Sequence, residues 1–119
     1  MQNFEAIWAK AEAVGRAAGV ACSPRPMVVG QYINGVLQIV DVVDDGACGF
    51  AWVKIRPANS KMARWLKAQN KGYKSYSGGW DVSIHEFGQS VERKRAAAVA
   101  MADVLRANGI DATPHDRLD

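Results

Sequence analysis

The chain has 119 residues, 49% hydrophobic and 23% charged, with a formal net charge of +3. That length and composition predict one globular domain over 1–119 with a core of its own, rather than a disordered chain. Glu5, Lys10, Glu12 and Arg16 break up the N-terminal apolar residues, so neither a signal peptide nor a membrane span is expected; two distant cysteines, Cys22 and Cys48, make no disulfide framework and predict reduced thiols in a cytoplasmic protein.

Phe4, Ile7, Trp8, Ala11, Val14 and Ala18 recur at helical spacing and predict a first helix, with Asn3 as its N-cap and Gly19 as its end. The connector Cys22-Ser23-Pro24-Arg25-Pro26 cannot continue it. From Met27 to Arg56 β-branched residues dominate, and Asn34-Gly35 and Asp45-Gly46 supply turn residues. The expectation is an antiparallel meander of three strands near 27–33, 36–43 and 49–56, ended by Pro57.

Asn59 or Ser60 caps a second helix near 60–70, with Met62, Trp65 and Leu66 as its apolar stripe. A loop from Asn70 to Gly79 leads to Trp80–Phe87, where Trp80, Val82 and Ile84 alternate with Asp81, Ser83 and His85 as in a half-buried strand. Ser90 caps a long helix over 91–107 whose small apolar face is Ala97, Ala98, Met101, Ala102 and Leu105, and Asn108-Gly109-Ile110 stops it. A short edge strand within 111–119 is expected before a polar tail. The order α-β-β-β-α-β-α predicts an α+β fold: a four-stranded, mainly antiparallel sheet with helices packed on one face.

The charge is unevenly spread. Between Lys54 and Tyr76 stand seven basic residues (Lys54, Arg56, Lys61, Arg64, Lys67, Lys71, Lys74) and no acidic one, which leaves a net −4 for the rest. Trp65, Tyr73, Tyr76 and Trp80 interleave with these cations. Cations for phosphates and rings for base stacking are what a nucleic-acid surface needs. The candidate binding residues are therefore Lys54, Arg56, Lys61, Arg64, Lys67, Lys71, Tyr73, Lys74, Tyr76 and Trp80. The competing reading makes Trp65 and Trp80 core residues and the lysines a solvated helix face. The same surface also suits an acidic protein, or a host protein's nucleic-acid groove.

The run Cys48-Gly49-Phe50-Ala51-Trp52-Val53, with Lys94, Ala98 and Ala102 leading to Leu105-Arg106, Gly109-Ile110, Ala112 and Arg117-Leu118-Asp119, resembles a group of small bacteriophage proteins. The resemblance covers the C-terminal two-thirds of the chain. It implies a phage or prophage origin and a bacterial host cytoplasm, and favours a role on nucleic acid or as an inhibitor of a host defence protein; it carries over no catalytic residue. On it, the tail either docks, with Leu118 buried and Arg117 paired to an acid, or is a frayed end.

Chemistry finds little support. His85-Glu86 with Asp81 is the only compact titratable cluster, and a small hydrolase built on it is the remote alternative. Cys48 reads as a small buried thiol and His115-Asp116 as solvated. No metal-ligand spacing is present. Tyr76-Ser77-Gly78-Gly79-Trp80 enters a strand rather than a helix, so no phosphate loop and no cofactor is expected, although capture of a nucleotide signal stays open. The oligomeric state also stays open, a dimer included.

Overall fold

The helix ends follow capping chemistry. The computed structural model describes residues 3–24, 27–33, 35–43 and 46–119, with backbone alone for 27–33 and 36–43. Helix α1 spans Phe4–Ala21, and the Asn3 side chain accepts from the Ala6 N–H at 3.1 Å. Helix α2 spans Lys61–Ala68; its cap is Ser60, whose Oγ accepts from the Ala63 N–H at 3.2 Å. Beyond it Asn70 takes the left-handed conformation (φ 58°) while the Lys71 N–H bonds back to Leu66 O at 2.9 Å, the C-terminal motif of a stopped helix. Helix α3 spans Val91–Ala107 and ends the same way, with Gly109 at φ 77° and the Ile110 N–H on Leu105 O at 3.1 Å.

The buried stripe of α1 is Trp8, Ala11, Gly15 and Gly19, while Val14 is exposed. Gly15 lets α1 lie close against α3: a Cβ there would stand 2.6 Å from Met101 Cγ and 3.1 Å from Ala97 O. Gly19 does not end the helix. It lies under the Phe87 ring, which a Cβ at Gly19 would strike. Arg93 Nη1 donates to the carbonyls of Gly19 and Val20, at 3.0 and 3.3 Å, and so serves the real end of α1.

Strands β1 (Met27–Ile33) and β2 (Val36–Val43) form a two-stranded antiparallel sheet, with Ile33 opposite Val36 and Gly35 at φ 79° between them. The expected turn residues Asn34 and Asp45, and Arg25 and Pro26 of the connector, lie outside the described residues. The meander does not continue. Strand β3 (Gly49–Ile55) instead joins β4 (Tyr73–Lys74), β5 (Trp80–Ser83) and β6 (Ala112–Leu118) in a four-stranded antiparallel sheet of order β4-β5-β3-β6. The chain around β3's start is anchored to the start of α3: the Gly49 N–H bonds Gln89 O at 2.9 Å and the Val91 N–H bonds Ala47 O at 3.1 Å.

Alternation along β3 sorts its side chains. Ala51, Val53 and Ile55 are buried in one cluster with Trp80, Ala112, and Trp8, Leu66, Ala98, Met101 and Leu105 of the helices. The helices therefore cover one face of the sheet, and the fold is α+β. Phe50, Trp52 and Lys54 point to the other face. No helix of the described residues is long and apolar enough to cross a membrane.

Candidate nucleic-acid interface

The helix-free face is built by cross-strand register. Directly opposed residues of antiparallel strands share a face, so Phe50 stands with Arg117, Trp52 with His115 and Ser83, and Lys54 with Thr113 and Asp81, while Tyr73 at the edge stands with Asp81. This gathers aromatic rings from three strands. The rings of Trp52 and His115 stack with centroids 5.7 Å apart and planes 10° from parallel. Phe50, 41% exposed, has Arg117 Cζ 5.2 Å and Lys94 Nζ 5.6 Å from its ring centroid, both within cation–π range. Tyr73 is 52% exposed and Tyr76 wholly so. A groove of about 310 Å³ runs between these rings, walled also by Ser75, Ser77, Ser83 and Asp81.

Lys54 lies beneath the groove and not on it. It is 3% exposed, and its ammonium donates to Ser75 Oγ at 2.7 Å, Ser77 Oγ at 3.1 Å and Gly78 O at 2.5 Å. Asp81, 5% exposed, places Oδ1 3.1 Å from Nζ. The three N–H groups are already directed at the loop, so the Asp81 contact is a Coulombic attraction rather than a directed bond. This buried cation fastens the 75–79 turn over the sheet, with Gly79 (φ 80°) close enough that a Cβ would meet Lys54 Cγ at 2.9 Å.

The remaining sequence candidates divide. Arg56, Lys61, Arg64, Lys67 and Lys74 are exposed. At about 100° per residue Lys61, Arg64 and Lys67 form the side of α2 opposite Met62, Ala63 and Leu66, which are buried. Lys71 is half-buried and pairs with Glu12 at 3.5 Å. Trp80 is core, its Nε1 donating to Lys71 O at 2.8 Å, and Trp65 packs partly against the same core. Lys54 and Trp80 therefore leave the surface set. Phe50, Trp52, His115 and Arg117 enter it, and the alternation of Phe50, Trp52 and Lys54 against Ala51, Val53 and Ile55 was the signal for the first two.

The C-terminal segment docks as strand β6, yet Leu118 is exposed and Arg117 covers Phe50 in place of an acid. His115 is not simply solvated but half-buried on Trp52, its Nε2 3.0 Å from Thr113 Oγ1. Cys48 is exposed, contrary to the buried thiol expected, because it bridges to Ser90 at the sheet's rim.

The strand that was expected to carry Asp81, Ser83 and His85 on one face ends at Ser83. His85 and Glu86 turn instead toward the helix side, where they line a groove between α1, the 70–73 loop and α3. Glu86 is engaged by Arg16 through two hydrogen bonds of 3.1 Å, and this bond and the attraction behind it hold the Arg16 guanidinium above its ordinary range. Asp81 is buried against Lys54 on the other face, so no base–carboxylate pair forms with His85. Among the described residues no three His, Cys, Asp or Glu side chains gather to hold a metal ion.

The chain matches no family model, no curated protein and no solved structure.

Proposed function

We propose that the protein binds single-stranded nucleic acid on the helix-free face of its sheet. The observation that carries this is the row of rings on that face, Phe50, Trp52, Tyr73 and His115, flanked by Arg117 and by Tyr76 of the adjoining 75–79 turn. A sheet face with exposed rings stacks unpaired bases and tolerates any sequence, because every base has a π-face. The pre-stacked Trp52–His115 pair presents a fixed platform, so little side-chain entropy is lost on binding. Arg117, on the wall of the sheet-face groove, supplies a phosphate contact. A duplex suits the site less: its bases are stacked on each other and unavailable to the rings.

The test is anisotropy of a labelled thymidine oligonucleotide across salt. With one or two phosphates neutralised, log K is expected to fall against log salt with a slope of about −0.7 to −1.4. Phe50→Ala and Tyr73→Ala should each weaken binding by about 1–3 kcal/mol. An oligonucleotide that fails to bind at low ionic strength, or binds these variants as well as the parent, would falsify the proposal.

A further inference from the structure

The helix side of the sheet holds a second feature, independent of the nucleic-acid reading. It is a groove of about 470 Å³ between α1, the 70–73 loop, the 84–87 segment and α3, in the size range of small-molecule sites. Its wall is mainly apolar, with Trp8, Val82, Ile84, Phe87 and Met101.

Three observations mark it. Trp8 is 3% exposed, and its Nε1 has no hydrogen-bond partner among the described residues. A buried indole N–H normally finds an acceptor, and leaving one without costs free energy that packing elsewhere must offset. Phe87 stands at φ 72°, a conformation that bulky side chains rarely adopt. Asn70, the other left-handed non-glycine residue, is accounted for by the end of α2; Phe87 has no such helix end to explain it, and its ring lies over Gly19. Finally, the rim charges are already matched: Arg16 with Glu86 at 3.1 Å and Lys71 with Glu12 at 3.5 Å.

We infer that this groove binds a small, flat, uncharged molecule of one or two rings that carries a carbonyl or ring-nitrogen acceptor for Trp8 Nε1. The apolar wall takes the rings, and Arg16, Glu86, Lys71 and Glu12 at the rim are already paired with one another. The acceptor satisfies the unpaired indole donor of Trp8, a residue of the groove wall. Met101, unbranched and adaptable, is the wall residue that yields to admit it.

The experiment follows the four indole N–H signals of the isotope-labelled full chain by NMR while coumarin or 2-quinolone, both flat and carbonyl-bearing, is added. Indene, of similar shape but without an acceptor, is the control. The expected result is a saturable shift centred on the Trp8 indole signal, with indene binding about fivefold more weakly, the worth of one hydrogen bond. Trp8→Phe removes the N–H and keeps a ring, and should bring coumarin down to the affinity of indene. No saturable shift from either carbonyl probe overturns the inference, as does equal affinity for indene or undiminished affinity in Trp8→Phe. The comparison of probes on the parent chain decides the matter even if that variant does not fold. Tyr73 and Ser83 border both grooves, so Phe50→Ala, at a residue that lines only the sheet-face groove, is the variant whose loss of oligonucleotide binding leaves this result untouched.

Discussion

Lys54→Met tests whether one buried cation holds the 75–79 turn to the sheet. The substitution keeps most of the side chain's volume and removes the ammonium. Asp81 is then a buried carboxylate without its counter-charge, and Ser75 Oγ, Ser77 Oγ and Gly78 O lose their shared donor. Breaking a buried ion pair from one side costs about 3–5 kcal/mol, because the surviving charge stays desolvated. A domain of this size has only about 5–15 kcal/mol in total. The variant is therefore expected to be marginal, with a melting temperature roughly 10–20 °C lower. Urea unfolding followed by circular dichroism measures the loss directly, with the m-value as a check that the unfolded reference is unchanged. The informative partner is Lys54→Met with Asp81→Leu. Replacing both charges by apolar groups leaves none uncompensated, so the double variant should be more stable than Lys54→Met alone by at least about 1 kcal/mol. A single variant within about 1 kcal/mol of the parent, or a double variant whose losses simply add, refutes the reasoning.

Two glycines separate strain from collision. Gly109→Ala, at φ 77° with open space around it, should cost about 1–2 kcal/mol for its left-handed backbone alone. Gly72→Ala, at φ 81° with its new Cβ 2.5 Å from both Asp81 O and Trp80 Nε1, should cost about 2–5 kcal/mol, and paired thermal melts compare the two. Leu105→Ala, at a fully buried position where α3 meets the sheet, is expected to lose about 2–5 kcal/mol in urea unfolding. Ser60→Ala removes the hydroxyl that accepts from Ala63 N–H, and should lower stability by about 0.5–2 kcal/mol in the same assay.

Local chemistry was legible in the sequence. Asn3, Ser60 and Ser90 cap helices because a short polar side chain can accept a free backbone N–H of the first turn, and that needs no distant partner. The stop at Asn108-Gly109-Ile110 is of the same kind, as is the buried face of α3 through Ala97, Ala98, Met101, Ala102 and Leu105. The α+β class with one four-stranded sheet also followed from the pattern of elements. So did the solvated cations of α2, which the spacing of Met62 and Leu66 pushes to the opposite side.

Which strands meet, and which way a lone residue points, came from the assembled fold. Alternation identifies a strand but names no neighbour, so β3 was assigned to β2 by proximity in sequence when its partners lie farther along the chain, in β5 and β6. That pairing places His115 on Trp52 and Arg117 on Phe50, residues distant in the chain, and no local pattern records it. Lys54 shows the same limit. By composition it belongs to a basic stretch; by position it lies under a turn whose serines and carbonyl replace its water, and Asp81 balances its charge. Gly15 and Gly19 look like weak points in a helix until α3 and Phe87 occupy the space that their missing side chains leave. Most elements and their ends could be read along the chain, since they rest on backbone hydrogen bonds within a few residues. The surface could not, since contacts between distant residues choose which charges stay in water and which rings face it.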